Sequence, residues 1–214
     1  MKKRIFSLIF VSALALGLLS CAYLQAQQRQ LAGKLIRLHV VANSDSPLDQ
    51  AIKLRVRDAV LEAAKTVMQG ADDPEQALLE HLDILETAAE ETSRRLNRSL
   101  NRCLNRTANR DEPVALTYES ERFPTREYET FSLPAGVYRT LRVTIGEGKG
   151  HNWWCVVFPS ICTAASLDEL ESAAVSGGFT EGEIRLITGA DEGYTLKFKT
   201  LEWMQKLKAF LFGS

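Results

Sequence analysis

The stretch LIRLHVVANSDSPLDQ, Leu35 to Gln50, changes its period halfway along and so places a strand directly before a helix. Leu35, Arg37 and His39 take one face and Ile36, Leu38 and Val40 the other, the alternation of a half-buried strand. The strand ends in ANSDSP. There Ser46 is placed to cap a helix, and Pro47 suits its first position because the N–H it lacks would be unbonded anyway. Asp49 completes a capping-box-like arrangement. Ile52, Val56, Ala59, Ala63 and Val67 then share one helical face until Gly70 offers a stop.

The same device recurs at Asp73-Pro74-Glu75-Gln76 and predicts one long second helix, with Leu78, Leu82, Leu85, Ala89, Leu96 and Leu100 along its apolar seam. Two helices joined by so short a turn are expected to pack antiparallel. The second ends in repeated tetrads, LNRS, LNRC, LNRT and ANRD, which line up Arg94, Arg98, Arg102, Arg106 and Arg110 as a basic stripe. From Pro113 the texture changes. LTYESERF, REYETFSL and GVYRTLRVTI alternate as strands, WWCVVFP reads as a buried one, and GEGKGHN as the glycine-rich turn before it, together an antiparallel meander. Ser166 opens a short helix that stops at Gly177-Gly178, EIRLIT reads as a further strand, and Leu201, Met204, Leu207 and Leu211 stripe a last helix. The expected class is α+β, a helical hairpin packed on a mainly antiparallel β-sheet.

Lys2, Lys3 and Arg4 precede an uncharged run from Ile5 to Leu24, the form of an export signal or of an N-terminal anchor about 20 residues long. Residues 1–26 are therefore set aside as a signal peptide or N-terminal membrane anchor, and 27–214 read as a single exported α+β domain. Ordinary cleavage, for which Ser20 and Ala22 supply the small side chains, retention, and a lipoprotein-like box at Leu18 to Cys21 are the three fates open to it. Without that segment the 27 acidic residues outnumber the basic ones, which excludes a global nucleic-acid footprint. Export also makes the remaining cysteines candidates for oxidation. Cys155 and Cys162 are the expected pair, close in sequence around Pro159, and closing that loop is worth roughly 2 to 3 kcal/mol on the loop-entropy model. Cys103 is left as a free thiol.

No catalytic, cofactor or metal constellation assembles from the sequence. His39, His81 and His151 have no second ligand at metal-binding spacing. His151 and Cys155 are four apart, and on a strand that separation is roughly 13 Å, too far for an activated thiolate. Gly146-Glu147-Gly148-Lys149-Gly150 lacks the Ser or Thr and the following helix of a phosphate loop. Asp45, Asp49, Asp72 and Asp73 fall at helix starts, where carboxylates cap. Glu90 and Glu91 precede Arg94 and Arg95 by four residues, so part of the arginine stripe is a solvated, paired face.

HVVANSDSPLDQ with KLRVRDAVL (Lys53 to Leu61), RFPTREY (Arg122 to Tyr128) and LPAGVYRTLRVTIGEGKGHNWWCVVFP (Leu133 to Pro159) before Cys162 resemble the signatures of the stage II sporulation protein R family. The resemblance is dense from about Leu35 to Cys162 and does not extend to the LNR tetrads. It implies a protein made in the forespore and exported into the space between the forespore and mother-cell membranes. There it would be needed to activate a membrane-embedded protease that removes the pro-sequence of sigma factor E. It implies no catalytic residues.

On this reading the chain is a non-enzymatic signal with no cofactor. Its expected partner surface is Asn43, Ser44 and Asp45 together with Lys149, His151, Asn152 and Trp153, joined by Arg122 and Arg126. A helix cap needs one of the four polar residues at 43–46, and a hairpin needs two loop residues rather than seven, so polar and glycine content is left over. Two rival classes are a cell-envelope hydrolase using Cys155 or paired carboxylates, and a septal structural protein. The latter would touch anionic membrane through the N-terminal segment or the arginine stripe.

Overall fold

The computed structural model describes residues 2–103, 112–163 and 166–189. It is an α+β protein whose described part holds six α-helices, a four-stranded sheet and a two-stranded one. The chain divides into two compact units.

The larger unit comprises Leu35–Glu121 and Tyr138–Gly177. Its centre is β1 (Ile36–Val41), every residue of which is buried. In the sheet order β2-β5-β1-β6, β1 lies parallel to β5 (Gly136–Ile145) and antiparallel to β6 (Asn152–Phe158), with β2 (Val114–Phe123) beyond β5. The expected antiparallel meander is thereby corrected to a mixed sheet. A strand buried from end to end belongs inside a sheet, and β1 takes that place by inserting between two strands that follow one another in sequence.

Ser46 caps α2 (Pro47–Met68), accepting from the Asp49 N–H at 3.1 Å, and Gly70 follows the helix in the left-handed region at φ 75°. The apolar face falls one residue from the expected stripe. Ile52, Val56, Val60 and Ala64 are fully buried, and the buried Asp49 and Lys53 extend that face toward the helix start. Asp73 caps the next helix as expected, but the single long helix is in fact two, α3 (Pro74–Glu80) and α4 (Leu82–Cys103), broken at His81. The His81 backbone is non-helical, and its imidazole turns back to the Ala77 carbonyl at 2.8 Å. Helix α4 packs along α2, burying Leu85 and Ala89 with Leu78 of α3 against Ile36, Leu38 and Val40 of the strand. A half-buried ion pair, Glu75–Arg139, ties α3 to β5.

A 3-10 turn, Ile161–Thr163, lies against β6, and α5 (Leu167–Ser176) is capped by Ser166 and stops at Gly177 as the sequence predicts.

The smaller unit contains α1 (Lys2–Gly33), residues 122–137 and α6 (Glu181–Thr188). REYETFSL, expected as one strand, is the hairpin β3 (Arg126–Glu127) and β4 (Ser132–Leu133). The Tyr128 N–H donates to Phe131 O at 2.8 Å and the two rings stack at 4.5 Å, closing the turn. EIRLIT, also expected as a strand, is helix α6. Its capping box, Thr180 with Glu183, is complete, Ile184 and Ile187 are buried on one face, and Gly189 ends it in the left-handed region. Lys34 holds that box by donating to Glu183 at 2.6 Å and to the Gly178 carbonyl at 2.8 Å.

Along α1 the large apolar side chains at Ile5, Val11, Leu14, Leu16, Leu18 and Leu19 are exposed. Among the described residues no helix is long and apolar enough to cross a membrane. The predicted C-terminal helix and the tetrads beyond Cys103 lie outside the described residues.

Candidate functional site: two interlocked loops at one end of the sheet

Because β1 and β5 are parallel and β6 runs back from the same end, the loop after β1 (residues 42–46) and the loop joining β5 to β6 (146–151) meet. The second loop must pass over β1. Crossing two strand spacings means covering about 9.5 Å, which a two-residue turn cannot do. Its length, which the sequence offered as surplus, is therefore set by topology.

The two loops are joined through backbone and side chain. Lys149 N–H donates to Asn43 O at 3.1 Å and Gly150 N–H to Ala42 O at 2.9 Å. Asn43 works in both directions: its Oδ1 accepts from Glu147 N–H at 2.9 Å, and its Nδ2 donates to Asp49 Oδ2 at 3.0 Å. Ser44 Oγ donates to the same carboxylate oxygen at 2.5 Å, and Gln50 reaches the Ser44 carbonyl at 2.9 Å. Two glycines are fixed by this contact. A Cβ on Gly146, at φ +57°, would stand 2.3 Å from Asn43 Oδ1, and one on Gly150 would stand 2.3 Å from the Ser44 carbonyl oxygen.

Beneath the loops Lys53 is almost fully buried, with Nζ donating to His151 O at 2.9 Å and to Gln50 Oε1 at 2.5 Å. Burial lowers its pKa below the usual lysine value. The outer rim is made differently. Asp45 Oδ1 accepts from the His151 backbone N–H at 2.6 Å and from the His151 imidazole, and these two bonds hold the Asp45 carboxyl below its ordinary value. Both side chains stay open to solvent, 55% and 77% exposed, as does the Glu147–Lys149 pair at 2.8 Å. Asn152 is exposed beside them, and Trp153 is 38% exposed with the Arg57 guanidinium 4.4 Å over its ring.

The structure thus brings Asn43, Ser44, Asp45, Lys149, His151, Asn152 and Trp153 together at one end of the sheet, but in two roles. Asn43 and Ser44 are spent on holding the loops. Lys149, His151, Asn152 and Trp153 face outward, and Asp45 does both, its exposed carboxyl accepting from the His151 N–H of the facing loop. Arg122 and Arg126 belong to the smaller unit. Sequence reasoning read Asp49 as a helix cap, whereas its carboxylate accepts from Asn43 and Ser44, and it gave Lys53 and Arg57 no role. The signal was present, because Asp49 and Lys53 fall on the stripe carried by Ile52 and Val56, and a charge within an apolar stripe must find a partner.

A second polar cluster crosses the sheet in a row. His39 Nδ1 lies 2.8 and 2.9 Å from the two Glu121 oxygens, Arg142 donates to Glu121 at 3.1 Å, and the Trp154 ring lies 5.6 Å from the imidazole. Cys155 and Cys162, the expected disulfide, are both free thiols here, each bonded to the backbone of Val156.

The sequence profile of the family described as stage II sporulation protein R matches residues 32–168, which include both loops, both cysteines and all four strands of the larger sheet. The stage II sporulation protein R of Bacillus subtilis (strain 168) is 27% identical over 234 aligned residues, covering 97% of this chain and 99% of that protein. No solved structure matches the chain. The match spans more than half of the sequence and contains the whole platform, and the chain belongs to the stage II sporulation protein R family.

Proposed function

We propose that this protein is an exported signal of endospore formation that activates the membrane protease processing pro-sigma-E. We propose that it meets that protease through the outer rim formed by Asp45, Lys149, His151, Asn152 and Trp153. The observation that carries the reading is the division of labour in the platform. The loops are fixed by backbone bonds and by the part-buried bonds of Asn43 and Ser44, so the Lys149, Asn152 and Trp153 side chains stand on a support that they are not needed to build. Binding residues placed on loops at strand ends of a rigid sheet, beside an aromatic anchor, are the arrangement that partner recognition uses. The uncharged run from Ile5 to Leu24 after three basic residues supports delivery to the space between the two membranes, with the rest of the chain on the outer side.

In this reading the protein is a ligand and performs no chemistry of its own. Alanine replacements at Lys149, His151 and Trp153, each scored for unfolding midpoint and for pro-sigma-E cleavage, test it. Loss of cleavage in fully folded variants supports the rim. Full cleavage by all three removes it.

One observation favours a second reading. Arg55, Arg95 and Arg98 line open depressions along α2 and α4 and have no ion-pair partner among the described residues, whereas Arg94 pairs with Glu90 at 3.6 Å. A septal protein resting on anionic membrane would use such a face, and it would bind anionic liposomes in a salt-sensitive way.

A further inference from the structure

We infer that Cys155 and Cys162 are a thiol pair that closes reversibly to a disulfide, a redox-exchangeable staple across the open edge of β6. The geometry is local and specific. β6 is an edge strand of the sheet, and the N–H of Val156 donates to Cys162 Sγ at 3.0 Å. Cys155 Sγ lies 3.7 Å from the carbonyl oxygen of that same residue, to which it donates. The two sulfurs therefore flank one residue of the strand.

The turn that brings Cys162 there is anchored rather than loose. Ile161 is fully buried, its N–H donates to Pro159 O at 2.7 Å, and Gly177 at the end of α5 leaves no room for a Cβ against the Pro159 ring.

The surroundings favour exchange. Arg37 and Arg57 are both near enough to act electrostatically on Cys155, and cationic neighbours favour the thiolate that attacks a disulfide. The neighbouring Cys162 thiol holds Cys155 below its usual value, while burial first and the Cys155 thiol second push Cys162 up. The partner reagent is a disulfide, either a small one or that of a thiol–disulfide oxidoreductase. One protein sulfur attacks it as a thiolate, forming a mixed disulfide and releasing one reagent thiol. The second protein sulfur displaces the other half. The protein loses two protons and two electrons, and the reagent's S–S bond takes them up to become two thiols. The closed form would pin the turn at 161–163 to β6 only two residues beyond Trp153.

The full chain carrying Cys21→Ser and Cys103→Ser leaves only these two thiols. It would be exposed to oxidised glutathione, unfolded, treated with a maleimide and mapped by mass spectrometry. The expected result is joint protection of both cysteines with a single cross-linked peptide, reversal by dithiothreitol, and a higher urea midpoint for the oxidised form than for the reduced one. Cys155→Ala and Cys162→Ala should each abolish that redox-dependent difference. The mapping stands even if a single variant folds poorly, because it reads the two-cysteine protein itself. Glutathione adducts or maleimide labels on both sites without a cross-link would overturn the inference, as would a cross-linked form with the same midpoint as the reduced one.

Discussion

Asn43 and Asp45 stand two residues apart in the same loop and each accepts from a backbone N–H of the facing loop, but Asn43 also reaches a buried carboxylate whereas Asp45 stays exposed. Asn43 supplies the acceptor for Glu147 N–H and the donor for the buried Asp49 carboxylate, so Asn43→Ala leaves a buried charge short of a partner. The expected cost is about 1 to 3 kcal/mol, read as a fall in urea midpoint at unchanged slope. Gly150→Ala should also destabilise, because its Cβ would meet the Ser44 carbonyl, which is backbone and cannot swing aside.

Asp45 should behave otherwise. Its bonds to His151 depress the carboxyl pKa below 3.8, so any stability they contribute is complete above that value and is lost as pH falls through the lower folded value. Being exposed, the pair is screened, and Asp45→Asn should differ little from wild type at neutral pH, with the difference vanishing in acid. Lys53 has the opposite sign to a stabilising lysine. Its lowered pKa means that the unfolded chain holds the proton more tightly, so burial of Lys53 opposes folding at neutral pH, and that opposition eases as pH rises toward 10.5.

At the scale of elements, the N-cap at Thr180 gives the clearest expectation. Thr180→Ala removes the acceptor for Glu183 N–H at 3.3 Å, and should cost about 0.5 to 2 kcal/mol in the smaller unit. That same cap explains why EIRLIT is a helix although its Ile, Leu and Thr content suits a strand. The decisive residue stands just outside the segment, and Ile184 and Ile187 are spaced for a helical face rather than for alternation. Where local signals stand alone they were legible, as in the caps at Ser46, Asp73 and Ser166, the strand at Ile36–Val41 and the stops at Gly70 and Gly177. What the sequence hid was non-local. The insertion of β1 between β5 and β6 leaves no mark on either strand's own pattern, and the one trace of it, a long connecting loop, looked like surplus binding surface. The break at His81 was hidden in the same way, because the leucine spacing continues across it.

For the whole molecule the account joins a family assignment to a surface. The stage II sporulation protein R profile covers the platform, and the platform separates residues that build from residues that face outward. The sequence pointed to the loop residues without dividing them, since composition shows polar residues without showing which are already bonded. The most direct test supplies the purified domain, residues 27–214, to membranes carrying the pro-sigma-E processing protease and its substrate, and follows removal of the pro-sequence. The account predicts cleavage with the wild-type domain and a strong loss with Lys149→Ala, His151→Ala or Trp153→Ala at unchanged unfolding midpoints. No cleavage above buffer with the folded wild-type domain would contradict it, as would full cleavage by the rim variants alongside loss in Arg95→Ala and Arg98→Ala.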